Sequence, residues 1–287
     1  MRTFIKYSLL LVILIGVSSC SKFRRIQKSP DWRLKYDAAV NYYEEGIELL
    51  DVRPRRASKR FYRANTLLDE ILPIIRGTAE AELGNFYFAY SYFHMGQYIL
   101  SAHQFQEFMR IYGRSEYVME AEYMRAISIY LQSPEYNLDQ TSTYEAIDAL
   151  QAYLDHYPAA EEFEIADSLI NDLQVKLETK AYHNAVLFHK IRKYKAALVI
   201  FDNFYNDFPD SEFREEIEYL EIETSYDYAK VSFTDKQEER FRNCIEKYEQ
   251  FLEKYPNSEY LEDAEELFTK SREELAKFAR RNNNDNS

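Results

Sequence analysis

An all-α fold, a solenoid of about five helix pairs closed by a C-terminal capping helix, is predicted by this sequence on three observations. The first is that six Gly and seven Pro in 287 residues are too few for the many turns of an all-β chain. The second is a recurring phrase. Tyr112-Gly113-Arg114-Ser115-Glu116-Tyr117 is echoed by Phe208-Pro209-Asp210-Ser211-Glu212-Phe213 and by Tyr255-Pro256-Asn257-Ser258-Glu259-Tyr260. Tyr157-Pro158-Ala159-Ala160-Glu161 is a weaker copy and Ile75-Arg76-Gly77-Thr78 an eroded one. Their leading residues lie 37, 45, 51 and 47 apart, the period of stacked helix pairs. The third is helical periodicity between the phrases, as in the stripe Ile165, Leu169, Leu173 and Leu177. Each phrase reads as punctuation: Pro ends one helix, Ser or Thr caps the next, and Glu in the first turn suits the helix dipole.

Residues 1–19 carry a basic start (Arg2, Lys6), the apolar run Leu9 to Val17, and then Ser18 and Ser19. The run is too short to cross a bilayer, which takes about 20 residues, and has the form of a secretory signal peptide. Val17-Ser18-Ser19-Cys20 resembles the bacterial lipobox, which implies cleavage before Cys20 and a covalent diacylglycerol and N-acyl lipid on that cysteine. Residues 20–30 form a basic tether with Lys22, Arg24, Arg25 and Lys28. Two readings stay open for it, contact with anionic head groups and a solvated linker.

The repeat domain spans 31–281. Its units fall at about 31–76, 77–113, 114–158, 159–209 and 210–256, with a cap at 257–281. In the first two, a small residue, an aromatic three on and a Gly four further mark the leading helix: Ala39, Tyr42, Gly46, and Ala89, Tyr92, Gly96. The second helix of a pair offers a small residue and an aromatic four later, as in Ser101 and Phe105 or Ala197 and Phe201, with Ala185 and Phe188 on the helix before. This pattern resembles the tetratricopeptide repeat, which implies a right-handed solenoid of tetratricopeptide-like pairs. Small residues let helices approach and aromatics fill the groove between units. Unit one departs from the pattern with a basic insertion around Asp51 to Arg56, and Gly113 stands where Pro is usual. The loop Ser133 to Gln140 leads into a helix that Asp139, Thr141 or Ser142 could cap, Ser142 and Glu145 having capping-box spacing. That loop either braces unit three or meets a partner. The stretch from Glu161 to Leu187 reads as one long helix, and the polar tail 282–287 as disordered.

Composition narrows the function. Loss of residues 1–19 takes the net charge from −13 to −15, which argues against nucleic acid. With Cys20 lipidated, Cys244 has no intramolecular partner and reads as a small buried residue. His94 and His103 are nine apart, and His183 and His189 six apart, so neither pair has the spacing of a zinc helix. Glu120 and Glu122 do not face each other on a helix, and no phosphate loop or nucleophile elbow occurs. The expectation is a protein that is not an enzyme, with no metal and no cofactor beyond its lipid.

Two further phrases sharpen this. Ser29-Pro30-Asp31-Trp32-Arg33-Leu34-Lys35-Tyr36 opens the first helix, and Ser133-Pro134-Glu135-Tyr136-Asn137-Leu138-Asp139-Gln140-Thr141 sits within the third unit. With the lipobox and five units, they resemble the BamD family of outer-membrane assembly lipoproteins, in the form found in Bacteroidetes-like bacteria, over essentially the whole mature chain. The resemblance implies a scaffold on the periplasmic face of the outer membrane. It would dock the periplasmic domains of a BamA-like barrel protein through units three to five, and receive unfolded barrel substrates on units one and two. In the repeat register Tyr36, Tyr43, Phe86, Tyr90, His94, Tyr123 and Tyr130 face the groove and are the candidate peptide-binding residues. Such aromatics either pack between units or bind a strand that alternates aromatic and polar residues. Two other functions fit a helical lipoprotein: a periplasmic tetratricopeptide adaptor for envelope or secretion machinery, and a surface nutrient-capture lipoprotein. The single Trp and the basic residues after Cys20 weigh against the latter.

Overall fold

The computed structural model describes residues 22–285, with side chains to Arg280; the signal peptide, Cys20 and residues 286–287 lie outside the described residues. Among the described residues all regular structure is helical. A short helix α1 (22–27) is followed by α2 (Trp32–Leu49), α3 (Pro54–Ile71), α4 (Glu80–His94), α5 (Tyr98–Ile111), α6 (Val118–Tyr130) and α7 (Thr141–His156). Next come α8 (Phe163–Lys190), α9 (Tyr194–Asp207), α10 (Arg214–Lys230), α11 (Thr234–Lys254) and α12 (Leu261–Asp285). Helices adjacent in sequence pack on each other as antiparallel-type pairs, α2 with α3, α4 with α5, α6 with α7 and α10 with α11. The chain divides into two compact units. The first holds the described residues up to Pro134 and Leu138–Leu173; the second holds Glu135–Asn137 and the residues from Gln174 on.

The second helix of each pair shows why the repeats fold alike. A small residue is followed four on by a large one, and both are fully buried: Ala57 and Phe61, Ser101 and Phe105, Ala146 and Leu150, Ala197 and Phe201. Cys244 fills the small slot in α11, with Tyr248 four on. Its thiol is pushed up to about 11 by burial, as an inert core thiol should be. Each fully buried Phe contributes about 1.5–3 kcal/mol of apolar burial. On the leading helices the small slot is Ala39, Ala89, Ala126 and Ala185, all with no exposure. Gly46 shows what small size permits: a Cβ there would stand 2.7 Å from the Phe61 ring.

The recurring phrases are one turn used repeatedly. Tyr112, Tyr157, Phe208 and Tyr255 each end a helix with the backbone N–H still bonded four residues back, to Phe108, Tyr153, Phe204 and Phe251. The same residue pairs bring their rings together in a tilted arrangement at centroid distances of 5.1 to 5.4 Å. The expected helix caps differ in detail. Ser115, Ser211 and Ser258 accept the N–H of Tyr117, Phe213 and Tyr260 through their hydroxyl oxygens, in the turn that precedes the helix. The turn takes up residues before the helix starts, so Ser stands too early to be its cap.

Three further differences from expectation matter. At α7 the capping box of Ser142 and Glu145 is not used; Asp139 Oδ1 accepts from Thr141 N at 3.0 Å, because the helix already begins at Thr141. α12 runs on through Asp285, into the polar stretch expected to be disordered, as an existing helix extends at little cost. Most consequential, residues 22–27 are not a loose tether. Phe23 and Ile26, three apart, give α1 an apolar face: Ile26 is buried in the α2–α3 core, and Phe23 meets the Tyr42 ring edge-on at 6.0 Å.

Candidate functional site

The candidate aromatics lie in the first unit, and the structure sorts them. Phe86 is 5% exposed and packs against Phe105, Phe108 and Tyr117, so it is a core residue and not a groove residue. It sits on the side of α4 that faces α5 and α6, where an apolar ring gains most from burial. Tyr43 is also buried, on the α2 side facing α3 and α4. The half-buried residues form a connected row. Tyr87, absent from the sequence candidates, stacks on Tyr43 at 4.3 Å with 17° between planes. His94 stacks on Phe61 at 4.5 Å and on Tyr90 at 5.7 Å, and lies 6.1 Å from Tyr43. Tyr36 adjoins the row beside Tyr87, whose proximity adds to burial in raising the Tyr36 pKa. Tyr123 stands apart, against Tyr153 at 5.2 Å, and Tyr130 is half-buried against the α6–α8 core.

Carboxylates edge this row. The Tyr90 hydroxyl donates to Glu120, and burial together with that bond raises its pKa. Burial raises Tyr43 and Tyr87 likewise, with smaller contributions from Glu120 and Glu44 respectively. The phenols therefore stay protonated at neutral pH, and the row is a neutral aromatic strip beside negative charge. Burial pushes His94 down to about 4, so it too is uncharged. Such a strip can receive aromatic side chains by stacking, and can pair an exposed Glu120 with a basic group.

A second surface, in the second unit, is one that sequence reasoning missed. The α8–α9 and α10–α11 turns frame a shallow hollow of about 630 Å³ lined by Tyr194, Val199, Ile200, Tyr228 and Val231. Val231 is 67% exposed, and Phe233, two residues on, 85%. Arg192, Lys193 and Lys195 stand at its edge. The signal was present: Val231 and Phe233 are apolar residues in a turn, where exposure is the rule.

Among the described residues no helix is long and apolar enough to cross a membrane, and no group of three His, Cys, Asp or Glu could hold a metal ion. Compared with known families, the chain is matched by the family model described as an outer membrane lipoprotein (YfiO), over residues 56–212 and again over 174–279. No curated protein matches the chain.

Proposed function

Because the chain belongs to the YfiO family of outer membrane lipoproteins, the BamD type, we propose that it is a non-enzymatic scaffold of outer-membrane β-barrel assembly. In this reading Cys20 carries the diacylglycerol and N-acyl lipid, and the helices work on the periplasmic face of the outer membrane. The first unit receives unfolded barrel segments, and the second docks the periplasmic domains of a BamA-like barrel protein. The observation that carries the proposal is the row of half-buried rings Tyr36, Tyr87, His94 and Tyr90 around the buried Tyr43, edged by carboxylates. Membrane β-strands alternate aromatic and polar residues, so a strip of rings spaced along helices is a matching receiver. The exposed Val231 and Phe233 support a second, separate docking surface.

The test uses two rings of the row that are only half-buried. Tyr36→Ala with Tyr90→Ala should weaken binding of a peptide from the terminal strand of a barrel protein at least tenfold, with circular dichroism unchanged. Binding equal to wild type removes the substrate half of the proposal. Mild-detergent purification from membranes tests the other half. Recovery of a BamA-like barrel supports it, and recovery of another envelope machine instead favours a tetratricopeptide adaptor.

A further inference from the structure

We propose that the first unit carries a second membrane contact besides the lipid: a basic end, built from the α2–α3 tip and the start of α1 that is aimed at it, that lies on anionic phospholipid. The inference rests on Cys20 being the lipid site, and goes beyond it.

Charge is divided along the chain. Residues 22–63 hold twelve Lys and Arg against six Asp and Glu, a net +6. Arg2 and Lys6 account for a further +2, so the total of −13 leaves −21 for the residues after 63. The positive charge is concentrated again within that segment. The outward side of α1 presents Lys22, Arg24 and Arg25, with Lys28 in the turn after it, all exposed. The tip presents Arg53, Arg55, Arg56 and Lys59, also exposed, and among the described residues none of these four is ion-paired. Neighbouring cations do pair, Arg60 with Glu45 at 2.8 Å and Lys35 with Glu70 at 2.6 Å. The tip is left unneutralised beside helices that neutralise their own charges.

Geometry aims the start of α1, at Lys22, toward the tip. The Arg63 guanidinium lies over the Phe23 ring at 5.3 Å, and Gln27 donates to Glu70 at 2.9 Å. α1 therefore runs in the same sense as α3, and its start points toward the start of α3. From Arg63 back to Arg56 is two helical turns, about 10 Å. From Phe23 back to Cys20 is three residues, which reach about 10 Å at most. An acylated Cys20 and the tip can thus meet one plane. Because α1 is packed on the core from Phe23, no long linker lets the unit drift away from it. Val52, 73% exposed at that tip, adds an apolar residue among the arginines, a composition suited to the head-group layer.

The experiment removes the acyl chain and keeps the rest of the mature chain. Mature chain with Cys20→Ser is floated with vesicles of phosphatidylcholine, and with the same vesicles containing phosphatidylglycerol. The expected result is flotation with the anionic vesicles only, lost at high salt. A basic residue near an anionic surface is worth about 1 kcal/mol, or about fivefold. R53Q/R55Q/R56Q should therefore lower partitioning about a hundredfold, with an unchanged circular dichroism spectrum. No flotation, equal flotation with both vesicles, or no loss in the triple variant overturns the proposal. So does capture by a polyglutamate peptide without flotation, which would assign the end to an acidic protein. Palmitate labelling of the native chain reads the lipid site separately. Labelling without flotation sinks the basic contact alone, and flotation without labelling sinks the lipid assignment alone.

Discussion

Arg192 holds a left-handed backbone, φ 59°, at the turn from α8 to α9. It stands seven residues after Ala185, just as Gly96, with φ 73°, stands seven after Ala89. Both turns close alike: Gln97 N bonds Tyr92 O and Lys193 N bonds Phe188 O. An L side chain in that conformation costs about 1–2 kcal/mol, part of which glycine gives back as chain entropy. Arg192→Gly should therefore raise stability by about 0.5–1 kcal/mol, seen as a higher urea midpoint at an unchanged slope. His94 gives a prediction in pH. Its folded pKa, near 4, lies below the free value of 6.5, so the unfolded chain binds a proton the native chain refuses. Stability from this group is full above pH 6.5 and falls as pH drops toward 4. His94→Phe, which keeps the stack on Phe61 and has no proton to take up, should flatten that window; midpoints measured at pH 7 and pH 4.5 check it. Residue identity in the sequence revealed the small slots well, since Ala39, Ala89 and Ala185 leave few alternatives. It did not reveal that Arg192 fills the glycine place, because a charged residue carries no mark of a positive φ.

At the scale of elements, the turns were the most legible feature, since ring, Pro and Ser recur in one order and fold in one way. The groove was less so. A register of Phe86, Tyr90 and His94 treats one stripe of α4 as outward. In fact α4 is enclosed on two sides, and Phe86 turns to α5 while Tyr87 joins the row. Helical spacing cannot separate these faces on a helix apolar all round. α1 was missed for a related reason: its three cations masked the pair Phe23 and Ile26 that docks it. Within the second unit, α10 and α11 are tied by charge as well as by packing. Glu221 is 8% exposed, accepts from the Tyr205 hydroxyl at 3.0 Å and pairs with Lys247. Glu221→Ala would strand both partners and should cost about 2–4 kcal/mol. Glu221→Gln, which can still accept the Tyr205 bond, should cost less, and chemical denaturation of the two variants compares them.

At the scale of the whole molecule, the proposed tasks fall on different units. Substrate and lipid surfaces lie in the first; the apolar hollow lies in the second. Val231→Ser with Phe233→Ser removes exposed apolar surface and no core, so folding should be unaffected. Recovery of the BamA-like partner in detergent should fall at least tenfold, while peptide binding to the first unit stays at the wild-type level.

Trp32, the sole tryptophan, opens α2 with the Arg33 guanidinium 4.6 Å above its ring, and packs on the core that α1 joins. Its emission is therefore a private signal of the first unit. Ellipticity, by contrast, sums every helix in the chain. Recording both during one melt turns an ordinary denaturation curve into a two-channel measurement. Should the units lose structure at different temperatures, the optical traces part company, with no label added.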